Sequence, residues 1–169
     1  MSEHATDPAK AELTATAYHE AGHAVMAMAV GRPIEKVNVT PRKMLTGGTR
    51  LGICHLQSGR SKSSKDWIDE TVLVLFAGMI AEARYTGKYC RQGAAEDLRA
   101  IKRLLVHRAS DERQLERAQQ RLLAKAEHLL EDTGHALAIE WIARELIERG
   151  SVSGKAVRHF FDLALKQSS

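Results

Sequence analysis

The chain has 169 residues, 44% hydrophobic and 27% charged, with 25 lysines and arginines against 21 aspartates and glutamates for a net charge of +4. Length and composition predict one folded domain with a real core and exclude a disordered or membrane-embedded chain. The longest apolar run, Val72 to Ala81, stops at Glu82, short of the roughly 18 residues that a membrane span needs. The basic residues are spread along the chain instead of forming a block, which speaks against nucleic acid as a partner. Two cysteines without CxxC spacing, Cys54 and Cys90, and no secretory pattern at the N-terminus predict a reducing, cytoplasmic setting and no cysteine-built zinc site.

In chain order, residues 1–11 are polar, carry Pro8 and read as a flexible N-terminal leader, with residues 12–169 forming a single domain. Leu13 to Val30 favours helix, because Leu13, Ala17, Ala21, Ala24, Val25 and Met28 fall within one sector about 120° wide. His19, Glu20 and His23 lie mostly off that stripe, as a polar cluster on the other side. Gly31-Arg32-Pro33 ends the helix, and two short strands follow at Ile34 to Thr40 and Leu51 to Leu56, around a turn at Gly47-Gly48. Ser58 to Ser64 reads as a polar loop.

Asp66 to Tyr85 reads as a long helix, apolar nearly all round in its middle and therefore the most buried. A glycine-containing loop, Thr86 to Ala94, precedes a helix from Ala95 to Arg108. Asp111 caps the next helix, which runs to Asp132 and is broken by Gly134. Helices over His135 to Arg149 and Ser153 to Lys166 close a chain that is mainly α with a small β-sheet.

The sharpest chemical signal is His19-Glu20-Ala21-Gly22-His23. Two histidines four apart share a helix face and can offer ring nitrogens to one zinc ion. The glutamate beside the first can then act as general base toward a water at the metal's open position. Ala21 and Gly22 are small enough for close packing behind such a site. A catalytic zinc needs a third protein ligand, and by spacing three carboxylates compete: Glu82, Glu96 and Asp97. Glu82 also reads as an ion-pair partner for Arg84 or Arg99, and Glu96 and Asp97 as favourable charges near a helix N-terminus. A solvated polar helix face is the plainer alternative for the whole motif.

The run Ala17-Tyr18-His19-Glu20-Ala21-Gly22-His23-Ala24-Val25 resembles the zinc motif of FtsH-type ATP-dependent metalloproteases. Gly31 to Arg42, Leu51-Gly52 with the strand after it, and Phe76-Ala77-Gly78-Met79-Ile80-Ala81-Glu82 resemble further landmarks of that family, which usually has arginine where Met79 stands. Gly93-Ala94-Ala95-Glu96-Asp97-Leu98 is similar to the segment whose aspartate is the family's third zinc ligand. The resemblance, over residues 14–160, therefore implies a zincin-like helical peptidase domain. In it His19, His23 and Asp97 would hold zinc, Glu20 would be the catalytic base, and the edge Leu51, Gly52, Ile53 and Cys54 would bind substrate.

Family members carry a membrane segment and an ATPase module. Here no GxxxxGK[ST] loop is present, so the reading is a stand-alone peptidase domain acting on unfolded polypeptides or peptides. A separate ATPase and oligomeric assembly are the partners that the resemblance implies. Two other functions fit the same residues: a catalytically silent peptide-binding module, and a zinc hydrolase of another amide. Iron also suits two histidines and a carboxylate, but a general base beside the open position favours zinc. His55 and Cys54 lack matched ligand spacing for a second metal, and His107, His128, His135 and His159 read as surface or packing histidines.

Overall fold

A computed structural model describes residues 7–39, 42–43, 49–50, 53–56, 64–87 and 91–169. The first helix, α1, spans Pro8–Ala29 and begins inside the segment read as leader. Its start signal is local: the Asp7 side chain accepts from Ala9 N at 3.1 Å, and Pro8 sits in the first turn, where a backbone N–H would have no helical partner. From Ala17 to Ala27 every residue of α1 is buried. The polar cluster is thus off the apolar stripe but has no solvated face, which overturns the plainer alternative.

The second helix, α2, spans Ser64–Thr86 and packs against α1 more extensively than any other pair of elements. Small residues allow this. A Cβ on Gly22 would stand 2.5 Å from the Ala77 carbonyl oxygen and 2.7 Å from Ala81 Cβ, so glycine is what lets the two backbones approach. On α2 the stretch from Val72 to Glu82 is buried except for half-buried Leu75, as its apolar pattern predicts.

The third helix, α3, spans Arg91–Leu105 and continues into a 3₁₀ turn at Val106–Arg108. It starts earlier than its sequence pattern suggests, so Gly93 and Ala94 are helical instead of belonging to a loop. The helices α4 (Glu112–Leu130), α5 (Thr133–Arg149) and α6 (Gly154–Ser168) follow. Asp111, Asp132 and Ser153 cap them through side-chain oxygens that accept from Gln114, His135 and Ala156 N–H groups. The break before α5 comes from the Asp132 cap, since Gly134 lies within the first turn. Helix α5 covers α1 from the side, and α6 packs on α5. Their fully buried Ile142, Leu146 and Val157 join Val25, Met26, Ile101 and Leu122 in one core, each such side chain stabilising the fold by about 1.5–3 kcal/mol.

The sheet has β1 (Ile34–Asn38) at its centre, flanked by β4 (Ile53–Leu56) and β5 (Ser151–Ser153), both antiparallel. Val37 stands opposite Cys54 on one side and Val152 on the other. The strand β5 has no counterpart in the sequence reading: three residues beside Gly150 carry no alternation to detect. Between β1 and β4, β2 (Arg42–Lys43) and β3 (Thr49–Arg50) form a separate antiparallel pair. The Gly47-Gly48 turn and residues 58–63 of the expected Ser58 to Ser64 loop lie outside the described residues, while Ser64 is the first residue of α2. Among the described residues no helix is long and apolar enough to cross a membrane.

Candidate metal centre

The face of α1 that carries His19, Glu20 and His23 packs against α2, with α3 closing over it. All the ionisable side chains there are buried: His19 and His23 are 8% exposed, Glu20 5%, Glu82 4% and Asp97 6%. A helix buries such groups only where each meets a partner, because an unpaired buried charge is costly. His19 Nδ1 lies 2.8 Å from Glu82 Oε2, and His19 Nε2 lies 2.9 Å from Asp97 Oδ2. His23 Nδ1 donates to the Val74 carbonyl oxygen at 2.6 Å, and its Nε2 stands 3.5 Å from the same Asp97 Oδ2.

These bonds fix both rings. The Nδ1 positions are tied to α2, so both Nε2 atoms face one carboxylate oxygen brought in by α3. The two imidazoles meet edge to face with centroids 4.6 Å apart. Gly78 lies directly beneath them: a Cβ there would reach within 2.6 Å of His23 Nε2 and 2.8 Å of His19 Nε2. Glu20 completes the group, with one ligand atom each from His19, Glu20 and His23 lying within 4.8 Å of one another.

The electrostatics follow from this geometry. Burial lowers the His19 pKa, but the hydrogen bonds to Asp97 and Glu82 and the neighbouring Glu20 outweigh it and push the ring up to about 10. Burial raises the Asp97 pKa, yet the bonds to His19 and His23 hold its carboxyl well below the usual carboxylate range. Without a metal, His19 is accordingly an imidazolium that donates Nδ1–H to Glu82 and Nε2–H to Asp97.

Two imidazole nitrogens and a carboxylate oxygen are a donor set that suits zinc. Donors about 2.0 Å from a tetrahedral zinc stand about 3.3 Å from one another. The 2.9 and 3.5 Å separations of Asp97 Oδ2 from the two Nε2 atoms bracket that value. Of the carboxylates weighed from spacing, Asp97 faces both histidines, Glu82 holds the far nitrogen of His19, and Glu96 is half-buried beside Asp97 on α3. The orienting roles of Glu82 and the Val74 carbonyl were missed. Glu82 had a signal in being the single acid at the end of a ten-residue apolar run, whereas a backbone carbonyl has none.

A cavity of about 370 Å³ is lined by Tyr18, Ala81, Arg84, Tyr85, Leu130 and Ile139, and there the Tyr18 and Tyr85 rings stack with centroids 3.7 Å apart. Of the predicted substrate edge, Leu51 and Gly52 lie outside the described residues, while Ile53 and Cys54 begin β4. His135 is a packing histidine, donating to Leu129 O and stacking on Phe161, and His107, His128 and His159 are exposed.

A family model described as peptidase family M41 matches residues 7–110. Similar curated proteins include the ATP-dependent zinc metalloprotease FtsH of Protochlamydia amoebophila, 34% identical over 89 residues, covering 52% of this chain and 9% of the relative. FtsH of Magnetococcus marinus is 39% identical over 74 residues, covering 42% of this chain and 10% of the relative. FtsH 4 of Sorangium cellulosum is 33% identical over 98 residues, covering 55% and 14%. The chain thus spans about a tenth of the length of these relatives.

Proposed function

Because the chain belongs to peptidase family M41, we propose that it is a zinc-dependent endopeptidase that hydrolyses peptide bonds of unfolded polypeptides or peptides. The convergence of His19 Nε2, His23 Nε2 and Asp97 Oδ2 beside Glu20 carries this reading. In it these three residues hold the metal. When bound, zinc supplies Lewis acidity, polarising the scissile carbonyl and making water a stronger acid. The Glu20 carboxylate takes a proton from the attacking water and returns it to the departing amine. Glu82 and the Val74 carbonyl keep the imidazoles aimed, so the chemistry starts from a fixed geometry.

Among the described residues β4 has one strand neighbour, β1, and so forms an edge of the sheet. An extended substrate pairing along Leu51, Gly52, Ile53 and Cys54 would gain backbone hydrogen bonds whatever its sequence. That suits an enzyme for unfolded chains. A cytoplasmic setting, with a separate ATPase or an oligomeric assembly delivering substrate, belongs to the same reading.

The test is hydrolysis of a fluorescently quenched unfolded protein by zinc-loaded wild type and Glu20→Gln, with metal content measured on both. Cleavage by wild type alone, with zinc bound to both proteins, supports the mechanism. No cleavage despite a full zinc complement points to a peptide-binding module. Asp97→Ala should lose the metal and Glu96→Ala retain it, and the reverse result would refute the ligand set.

A further inference from the structure

Beyond the zinc chemistry, the helical hairpin of α3 and α4 concentrates charge. Residues 99–125 hold eight lysines and arginines against three aspartates and glutamates, a net charge of +5 that exceeds the +4 of the whole chain. Lysines and arginines occur along the whole chain, but in this stretch few acids offset them, and α3 and α4 pack together.

On α4 the basic residues recur every four positions, at Arg113, Arg117, Arg121 and Lys125, and all four are exposed. This spacing places them in one row about 6 Å apart, and like charges so arranged weaken a helix. Arg121 lies 3.9 Å from Asp69. Among the described residues no carboxylate lies within ion-pair distance of Arg113, Arg117 or Lys125, nor of Arg99, Lys102 or Arg103 on the outer side of α3. The same side of α3 exposes apolar groups, Leu98 at 43% and Val106 just beyond the helix at 54%. The inner side of α3 presents Asp97 to the metal centre, within two turns of these cations.

We propose that the outer face of the α3–α4 hairpin is a docking surface for acidic polypeptide segments, and that it selects acidic unfolded chains as substrates. Charge complementarity carries the choice of partner, and exposed Leu98 and Val106 fit the apolar side chains interspersed in such a segment. Residues 99–125 contain no Phe, Tyr or Trp on which bases could stack and His107 as their single imidazole, which disfavours single-stranded nucleic acid. The claim about substrates rests on the peptidase reading; the claim about docking does not.

The experiment uses two quenched peptides with the same unstructured core, one extended by an acidic tract of Glu and Asp interspersed with Leu, the other by its Gln and Asn counterpart. Cleavage is followed on the zinc-loaded protein, and binding by fluorescence anisotropy on zinc-loaded Glu20→Gln. The acidic extension should raise kcat/KM about tenfold through KM and tighten binding by a similar factor at low salt, with both effects fading in high salt. In the combined Arg113→Gln, Arg117→Gln, Lys125→Gln variant, with its fold checked by circular dichroism, both ratios should fall to about one. If binding shows this pattern but neither peptide is cleaved, the docking surface stands and the peptidase reading fails. Equal ratios in the wild type, or a preference that survives in the variant, would overturn the proposal. So would tight binding of a DNA duplex with no binding of the acidic peptide.

Discussion

Substituting Gly78 by alanine separates the candidate metal centre from the fold that carries it. A Cβ at this position would stand 2.4 Å from His23 Cε1, 2.6 Å from His23 Nε2 and 2.8 Å from His19 Nε2. Non-bonded heavy atoms settle at about 3.5 Å, so the rings must retreat by roughly 0.7–1.1 Å. They are poorly placed to do so, since His19 Nδ1 is held 2.8 Å from Glu82 and His23 Nδ1 2.6 Å from the Val74 carbonyl. Metal sites tolerate displacements of only about 0.2 Å.

Zinc affinity should therefore fall by at least the 10–100-fold, about 1.4–2.7 kcal/mol, that is typical when the support of a ligand is lost. The helix responds in the opposite sense. Alanine is favoured over glycine in a helix interior by about 1 kcal/mol, which offsets part of an overpacking cost of about 1–3 kcal/mol. Zinc affinity by competition with a chromogenic chelator, with far-UV circular dichroism and melting of the metal-free protein alongside, reads both effects. A Gly78→Ala protein that binds zinc within about threefold of wild type would refute the placement of the two imidazoles over this glycine.

Three other outcomes follow from the same geometry. Glu82→Ala removes the acceptor of His19 Nδ1–H and should lower zinc affinity by about 10–100-fold, with Glu82→Gln recovering part of the loss; equal affinity in all three proteins would sink the orienting role. In the metal-free protein, the stabilisation from the raised His19 pKa is fully present below 6.5 and is lost as pH climbs toward 10, while that from the lowered Asp97 pKa is present above 3.8 and lost as pH falls below it. Melts in chelator should thus plateau between those values and decline on the alkaline side, and a flat profile from pH 6.5 to 10 would contradict the His19–carboxylate pairing. Zinc at about a thousandfold excess over its dissociation constant should stabilise the fold by about 4 kcal/mol, raising Tm by roughly 8–16 °C, and a Tm indifferent to chelation would count against a metal at this site.

Much of this was legible from spacing alone. The four-residue interval between His19 and His23 put both on one side of α1, and the unbroken apolar run ending at Glu82 marked α2 as deeply buried, which it is from Val72 to Glu82 apart from half-buried Leu75; α1, buried without a break from Ala17 to Ala27, is buried over a longer stretch still. Helix starts were harder. The Asp7–Pro8 cap and the true beginning of α3 at Arg91 each lie outside the apolar periodicity that defines a helix in sequence, so the pattern places both starts too late. The strand β5 was invisible for a related reason: its three residues are ordered by pairing with Lys36, Val37 and Asn38, more than a hundred positions earlier. Spacing also left the third carboxylate open, since Glu96 and Asp97 differ by one position and only packing decides which points inward.

What turns these residues into a site is the distance between α1 and α2, and two glycines set it in different ways. Gly22 faces the Ala77 carbonyl and Ala81, so it fixes how closely the two backbones come together. Gly78 faces the imidazoles, and so decides how much room that closeness leaves for the rings. With bulkier residues at either position the same His-Glu-x-x-His run would keep its helix face, but its histidines would lose the alignment with Glu82, Val74 and Asp97. A match to the five-residue motif is therefore weaker grounds for a metal centre than the motif together with the small residues on the helix that faces it.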